Sequence, residues 1–313
     1  MAGLGQRLRK LGPRAIVTLA RGSSDNAATF ARYLIETRAG VLTSSASPSI
    51  GALYAATPDL ERTAVLAISQ SGRSPDLLAS AERASANGAL LIAMVNDEAS
   101  PLAKLADVVL PLLAGAELSV AATKSFVASL AATLDLLAAW TGDAEIEGAL
   151  STLPEKLAAT WELDWSTALS ALGSANAAYV IGRGPGLGIA QEAALKLKET
   201  CGIQAEAFSA AEVRHGPMAV VRGDFPVLLF GQGDETLESV ADVAAELASR
   251  DAVVISAGVP GAAGVSLPML DCDPLIAPIL QIASFYRLAN ALAFERGRDP
   301  DRPPHLKKVT ETL

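Results

Sequence analysis

The segment from residue 192 to 217 gathers acidic, basic and imidazole side chains in a chain that is otherwise rich in alanine, leucine and valine. Glu192, Lys196 and Glu199 are spaced i, i+4 and i+7, so a helix would place all three on one face. A solvated helix face with ordinary ion pairs would explain Glu192 and Lys196 equally well. His215, one of only two histidines, favours acid–base chemistry, because carboxylates and imidazoles are the usual proton-transfer groups.

A serine-rich loop offers a second set of polar groups. Residues 63 to 69 have the pattern of a buried strand, and a helical pattern begins near Leu77. Ligands bind at the carboxyl ends of strands in a doubly wound sheet, and helix N-termini bind anions. A plain N-cap would need one hydroxyl, whereas this loop has three and an amide. We therefore predict that a phosphate is bound by Ser69, Gln70, Ser71 and Ser74.

Two further loops carry weaker signals. Ser23 and Ser24 follow the first strand pattern in the equivalent place, where they could hold sugar hydroxyls or the same phosphate. Residues 117 to 126 precede a long helix, and capping alone explains one of their hydroxyls. The loops contain neither a P-loop nor a G-x-G-x-x-G motif, so we expect no nucleotide cofactor.

Composition excludes several classes of function. The net charge is −9 and the sequence pI about 4.9, which argues against electrostatic binding of nucleic acid. No apolar run is long enough for a membrane span, and the N-terminus lacks the apolar core of a signal peptide, so we expect a cytoplasmic protein. Cys201 and Cys272 fit no metal motif, and neither has the N-terminal placement of a glutamine amidotransferase nucleophile. We therefore predict no metal and no ammonia production from glutamine.

Strand and helix patterns alternate along the chain, which predicts an α/β fold of parallel sheets flanked by helices, as in flavodoxin- or Rossmann-like three-layer sandwiches. The strand patterns lie at 15–20, 41–45, 63–69, 89–95, 107–113, 177–181, 225–230, 252–257 and 265–270, and the longer helical patterns at 121–140, 151–172 and 274–296. Residues 20–37 and 182–200 each follow a strand, contain Arg-Gly and end in Glu-Thr, which indicates an internal duplication.

We expect two domains, at residues 1–145 and 146–297, with residues 141–143 opening an acidic, turn-prone linker. Residues 298–313 are too polar and proline-rich for core, so they are predicted to be a tail that is either disordered or folded over a site.

Five motifs together resemble the tandem sugar isomerase (SIS) domain family. They are ISQSG at 68–72, SVAATKSF at 119–126, EAALKLKE at 192–199, RHGP at 214–217 and LKKVT at 306–310. Within the family, the chain is similar to the isomerase half of glucosamine-6-phosphate synthases. It is more similar to stand-alone glucosamine-6-phosphate deaminases and related phosphosugar enzymes with two SIS domains.

The resemblance implies a role for each candidate residue. The serine loop would hold the substrate phosphate, with Ser23, Ser24 and Val120 near the sugar. Glu199 would move a proton between C2 and C1, and His215 would assist ring opening. Glu192 and Lys196 would support them, and Lys308 would form an imine with the open-chain ketose. The family also implies a homodimer in which His215 reaches the partner's site, and a tail that closes over the active site.

Two departures from the synthase pattern bear on these expectations. Ala122 stands where the synthase has a serine near the sugar, and an N-terminal helix common in the family is expected to be absent or shortened. The predicted reaction converts glucosamine 6-phosphate, or a related amino-sugar phosphate, to fructose 6-phosphate and ammonia. The alternatives are another phosphosugar isomerase, an aminotransferase-like isomerase, a deglycase or a non-catalytic sugar-phosphate-binding regulator.

Overall fold

The computed structural model describes residues 1–54, 56 and 58–308. The chain divides into two compact units, and each has its own parallel sheet. The first unit comprises residues 1–148 with the tail from residue 305, and the second comprises residues 149–304.

The sheet of the first unit has the strand order β2-β1-β3-β4-β5, and all neighbouring strands are parallel. Its strands are β1 (Ala15–Leu19), β2 (Leu42–Ser45), β3 (Thr63–Ser69), β4 (Leu90–Val95) and β5 (Val108–Pro111). The helices are α1 (Ala2–Leu11), α2 (Ser23–Leu34), α3 (Pro48–Ala52), α4 (Pro75–Ala86), α5 (Pro101–Leu105), α6 (Lys124–Thr141) and α7 (Ala144–Thr160), and the boundary between the units falls within α7.

Burial explains the layers of this unit. Strands β3 and β4 are buried at every position, as expected for central strands covered on both faces. Val65 and Ala67 of β3 pack with Leu77 and Ala81 of α4 in one apolar cluster. Helices α1 and α2 both pack against α6, whereas α4 packs against α3 and α5. The first unit is therefore the three-layer arrangement that the alternating pattern predicts.

Helix α1 corrects the expectation of an absent N-terminal helix, because residues 2–11 form a regular helix of ten residues. Its buried Leu4 and Leu8 lie on the face that packs against α6. Gly5 permits the close approach, since a Cβ there would lie 2.0 Å from the carbonyl oxygen of Ala139.

The second unit repeats the topology of the first. Its sheet order is β10-β9-β8-β6-β7, which is the same order when β6 is equated with β1 and β7 with β2. The strands are β6 (Ala177–Gly182), β7 (Gln204–Ser209), β8 (Pro226–Phe230), β9 (Val253–Ala257) and β10 (Val265–Leu267), and the helices are α8 (Leu169–Leu172), α9 (Gly186–Lys196), α10 (Leu237–Ala248) and α11 (Ala277–Glu295).

A second feature is also repeated. Helices α2 and α9 each continue into a π-helical turn, Ile35–Ala39 and Leu197–Cys201, and each turn ends at a left-handed glycine, Gly40 and Gly202. The shared order and the shared turn agree with an internal duplication. Extra-residue turns of this kind are frequent at functional sites.

Three sequence expectations need correction. The linker expected to open at residues 141–143 is a single turn, because left-handed Gly142 ends α6 and the Asp143 carboxylate accepts the Glu145 N–H at 3.0 Å where α7 begins. The helix expected over residues 151–172 is interrupted after Thr160 and resumes only as a short turn and α8. Strand β7 was missed, because as an edge strand it is only partly buried. Within the part of the chain that the structure describes, no helix combines the length and apolar character needed to cross a membrane.

Candidate functional site

Strands β1 and β3 are neighbours in the sheet although they are not consecutive in the chain. An order of 2-1-3-4-5 reverses its direction of winding at this pair, and ligands bind at such a switch point outside the carboxyl ends of the strands. The loops that leave these ends are residues 20–22 and residues 70–74. The fold therefore places the predicted serine loop at the switch point of the first unit, where ligands generally bind in sheets of this order.

The serine loop is built around Ser69 and Gly72. The buried Ser69 hydroxyl accepts the Gly72 N–H at 3.0 Å, and Gly72 has a left-handed φ of 61°. Ser74 is the N-cap of α4 in an extended conformation, and Pro75 occupies the first helical turn. Gln70, Ser71 and Ser74 are each half-buried. The structure thus brings the four predicted phosphate ligands into one loop at a helix N-terminus, which is suited to an anion.

An ion pair that the sequence did not reveal links the two loops. Asp76, buried in the first turn of α4, accepts the Arg21 guanidinium at 3.0 Å from Nε and 2.7 Å from Nη2. Arg21 lies at the end of β1, and its side chain is 53% exposed. Its guanidinium therefore lies at the first turn of α4, which follows the serine loop, and its charge is balanced by Asp76. The Arg-Gly pair shared by both repeats was the available signal, but the partner is 55 residues away.

Ser23 and Ser24 lie in the first turn of α2, where both are half-buried. The Ser24 N–H donates to the Arg21 carbonyl oxygen at 3.1 Å. Burial raises the pKa of Asp25 next to them above its ordinary value, although a hydrogen bond from Ser45 and the charge of Arg21 oppose the rise. Both serines thus lie at the N-terminus of α2, directly after the loop that contains Arg21.

The corresponding loop of the second unit is chemically different. After β8, the carboxylate of Asp234 accepts the Gln232 side chain at 2.7 Å and the Thr236 N–H at 2.9 Å. The first unit also has a carboxylate in the first turn of α4, Asp76, but that carboxylate is paired with Arg21. The two loops therefore differ in their side chains, with serines and the Arg21–Asp76 pair in the first unit and Gln232, Asp234 and Thr236 in the second.

Gly72→Ala should disrupt the serine loop more than the replacement of a left-handed glycine by alanine usually does, because the added Cβ would also clash. A Cβ at Gly72 would lie 2.4 Å from the Ser100 hydroxyl oxygen and 2.7 Å from the Ser100 Cβ. We expect about 1–3 kcal/mol of destabilisation together with weaker phosphate binding. Thermal unfolding and calorimetric titration with inorganic phosphate measure the two effects.

Gly88→Ala is the matched control for Gly72→Ala. Gly88 also has a left-handed φ, of 82°, but a Cβ added there would have no neighbouring atom within 4 Å and so would not clash. It should show the cost of the backbone conformation alone and leave phosphate binding unchanged. Equal phosphate affinity in the two variants would contradict the role of the loop.

Lys308 contacts the loop of the first unit that carries Val120. The Lys308 Nζ donates to the Ser119 carbonyl oxygen at 2.6 Å, and Val120, the next residue, is half-buried. Residue 308 of the tail therefore lies against residues 117 and 119. Val309 and Thr310, the last residues of the LKKVT motif, lie outside the described residues.

The second unit contains a buried charge cluster. The Lys196 Nζ lies 3.3 Å from the Glu192 carboxylate and 2.5 Å from the Glu199 carboxylate. The Glu192 side chain is fully buried and also accepts the Tyr286 hydroxyl at 3.0 Å. Burial alone would lower the pKa of Lys196, but the two carboxylates raise it above its ordinary value. The solvated-face alternative is therefore wrong for Glu192 and Lys196.

Glu199 differs from the other two members of this cluster in its access to solvent. Its side chain is 21% exposed, whereas those of Glu192 and Lys196 are at most 2% exposed. Glu199 lies in the π-helical turn Leu197–Cys201, directly after α9. A carboxylate fixed by a buried ammonium at one side and open to solvent at the other has the geometry of a proton acceptor.

His215 is exposed in the same unit, at the end of the short 3₁₀ helix Glu212–Arg214. Its backbone N–H donates to the Glu212 carbonyl oxygen at 2.9 Å. The Arg214 Nε donates to the Glu246 carboxylate of α10 at 2.9 Å, which fixes the position of the turn. The predicted site residues thus form groups in both units: the serine loops, Val120 and Lys308 in the first, and the charge cluster and His215 in the second.

Comparison with known proteins gives a consistent result. A family model described as the SIS domain matches residues 12–139 and 171–257. The chain is 37% identical over 278 residues to the glutamine–fructose-6-phosphate aminotransferase (isomerizing) of Pyrobaculum aerophilum, a match that covers 84% of this chain and 46% of that protein. It spans about half the length of the curated relatives it matches.

Two solved structures match nearly the whole chain. One, from Silicibacter pomeroyi, is provisionally designated a phosphosugar isomerase; it is 42% identical, with a TM-score of 0.90 and coverage of 96% of this chain and 92% of that one. The other is a glucosamine-6-phosphate deaminase from Thermotoga maritima, 25% identical with a TM-score of 0.77, covering 99% and 98% of the two chains.

Proposed function

Since the chain belongs to the SIS domain family, with both of its sheet units matched, we propose that it is a phosphosugar isomerase that also deaminates its substrate. The proposed substrate is glucosamine 6-phosphate or a related amino-sugar phosphate. The reaction consumes one water and yields fructose 6-phosphate and ammonia. The relatives support a phosphosugar substrate, because their names include a fructose-6-phosphate aminotransferase and a glucosamine-6-phosphate deaminase.

One observation carries the catalytic part of this proposal. Glu199 is the partly exposed carboxylate of an otherwise buried cluster, held at 2.5 Å by the Lys196 ammonium. Isomerisation of an open-chain aldose requires a base that removes the proton from C2 and returns it to C1. A single fixed carboxylate can do both, because the two carbons are adjacent.

The proposed reaction has three steps. His215 assists opening of the sugar ring by transferring a proton to or from the ring oxygen. Glu199 then takes the proton from C2 and delivers it to C1, while a second proton passes from the C2 amine nitrogen to O1 through solvent. The aldehyde thereby becomes a hydroxymethyl group at C1 and the amine becomes an imine at C2. Water hydrolyses that imine to the ketone and releases ammonia. Glu192 and Lys196 do not touch the substrate in this scheme but hold Glu199 in place.

The first unit supplies recognition. Ser69, Gln70, Ser71 and Ser74 hold the phosphate, beside the Arg21–Asp76 ion pair. Ser23, Ser24 and Val120 bind the sugar. Lys308 can condense with the carbonyl of the open-chain ketose to form an imine and water, provided that its amine is unprotonated when it attacks.

We also propose a homodimer in which His215 serves the partner's site and the tail closes over the active site. The exposure of His215 supports this arrangement, since a catalytic histidine exposed on its own chain becomes enclosed only when another surface covers it. Sedimentation of the purified chain, alone and with fructose 6-phosphate, tests the assembly.

The proposed function is tested by incubating purified protein with glucosamine 6-phosphate and measuring both fructose 6-phosphate and ammonia. Equal molar amounts of the two products are expected. A parallel reaction with glucose 6-phosphate separates deamination from simple isomerisation, since both require the same proton transfer.

The outcomes of this assay are distinct. Turnover of glucose 6-phosphate without ammonia from the amino sugar would leave an isomerase and overturn the deaminase. Binding of both phosphosugars without turnover of either would indicate a sugar-phosphate-sensing regulator.

A further inference from the structure

Glu117 is a buried carboxylate that the proposed mechanism does not use. Its side chain is 2% exposed and lies at the start of the loop that carries Val120. One oxygen accepts the backbone N–H groups of Thr123 and Ser125, at 2.9 and 3.1 Å. The other accepts the Ser125 hydroxyl at 2.6 Å and lies 3.6 Å from the Lys308 Nζ.

The first pair of contacts fixes the loop. Helix α6 begins at Lys124, and its N-cap residue, Thr123, makes no capping hydrogen bond with its own side chain. The Glu117 carboxylate takes over that function, because it accepts N–H groups at the helix start where negative charge is favoured. Residues 118–122, including Val120, are thereby closed into a loop between Glu117 and the helix that it caps.

The contact with Lys308 fixes the tail against the same loop. The Lys308 Nζ donates to the Ser119 carbonyl oxygen at 2.6 Å while it pairs with Glu117. Burial alone would raise the pKa of Glu117. The pKa is nevertheless held below its ordinary value by hydrogen bonds from Ser125 and Thr123 and by the charge of Lys308. The carboxylate is therefore ionised near neutral pH, as the ion pair requires.

We infer that Glu117 is a positioning residue that holds Lys308 and the Val120 loop in one fixed arrangement. The catalytic consequence rests on the proposed function, in which Lys308 and Val120 act on the sugar. The structural part, that Glu117 holds Lys308 and the loop in place, does not rest on it, because these contacts join residues of the first unit without any substrate. The two parts can therefore fail separately.

Glu117→Gln in the full chain tests the structural part, that Glu117 holds Lys308 in place. The amide oxygen can still accept the two backbone N–H groups, but the amide nitrogen faces the Lys308 ammonium as a donor. Acylation with a lysine-selective reagent, followed by peptide mass spectrometry, gives the labelling rate of Lys308 relative to Lys307. Lys307 is exposed and serves as the internal reference. We expect that ratio to rise about fivefold, as for the loss of one modest charged contact.

Glu82→Gln is the matched control, since it removes an exposed carboxylate from the same unit. It should leave the ratio of Lys308 to Lys307 labelling unchanged. A ratio in Glu117→Gln equal to that of the wild type would overturn the inference, whatever the enzyme assay shows.

A double-mutant cycle tests the catalytic part. Glu117→Gln should lower kcat about tenfold in the wild type and have no further effect in a Lys308→Met background, because the residue acts through Lys308. Additive losses would show that Glu117 acts independently of Lys308, and would overturn the positioning role. Lack of any turnover by the wild type would refute the proposed function while leaving the labelling result intact.

A measurement on Lys308→Met keeps the inference testable if Glu117→Gln does not fold. The substitution changes a tail residue and leaves every donor of Glu117 except Lys308 in place. Titration of the Glu117 carboxyl by ¹³C NMR should then show a higher pKa in Lys308→Met than in the wild type. An unchanged titration would mean that Lys308 is not held by Glu117 in solution.

Discussion

Glu199→Gln is expected to lower kcat by about 10²–10⁴-fold, the usual contribution of a general acid–base group, while substrate binding is retained. The amide cannot accept the C2 proton, but its oxygen can still accept a hydrogen bond from Lys196, so the buried cluster stays satisfied. The chain should therefore keep its fold and its affinity for fructose 6-phosphate. Product formation gives the rate, and calorimetric titration gives the affinity.

Deuterium exchange makes the test specific to the proton transfer. When the wild type is incubated with fructose 6-phosphate in D₂O, the proposed mechanism incorporates deuterium at C1 without any need for ammonia. The Gln variant should lose this exchange together with turnover. A Gln variant that exchanges C1 at the wild-type rate would remove Glu199 from the role of base.

Glu206→Gln is the matched control for Glu199→Gln, because Glu206 is an exposed carboxylate on β7 of the same unit. The net charge changes by the same amount, so a general electrostatic effect would appear in both variants. We expect Glu206→Gln to retain wild-type turnover and exchange.

The elements and the serine loop could be predicted because their signals are local. Strand β3 ends at Ser69 as the apolar pattern indicates, and Pro75 marks the first turn of α4. The repeated strand order follows from the alternation of strand and helix patterns in both halves. Edge strand β7 was missed, since an exposed edge with Gln and Glu lacks the apolar run that marks central strands.

The contacts of the candidate site could not be predicted, since they join residues far apart in the chain. Glu192 accepts the hydroxyl of Tyr286, 94 residues away, and Glu117 pairs with Lys308, which lies far along the chain near its last residues. Helical spacing showed that Glu192, Lys196 and Glu199 share a face, but it could not show whether that face meets solvent or core. The face is buried because α11 packs against α9.

That burial makes Lys196 the position where a substitution should cost the most stability. Lys196→Met keeps the length and apolar stem of the side chain but leaves the fully buried Glu192 carboxylate without its ammonium. Removing one partner of a buried ion pair typically costs about 3–5 kcal/mol, because the remaining charge is desolvated and uncompensated. We expect a loss of that size in the free energy of unfolding at neutral pH. Urea unfolding followed by the fluorescence of Trp161 and Trp165, which lie in the same unit, measures it.

Two further variants identify the cause of that loss. In the double variant Glu192→Gln, Lys196→Met, no uncompensated charge remains at residue 192, and the Gln can still accept the Tyr286 hydroxyl, so stability should recover in part. Lys198→Met removes a neighbouring exposed ammonium whose contact is the Ala205 carbonyl oxygen at 3.0 Å, and should cost about 1 kcal/mol or less. If Lys196→Met were no more destabilising than Lys198→Met, the ammonium would not be what holds Glu192 and Glu199 together. Glu199 would then need another source for the fixed position that proton transfer requires.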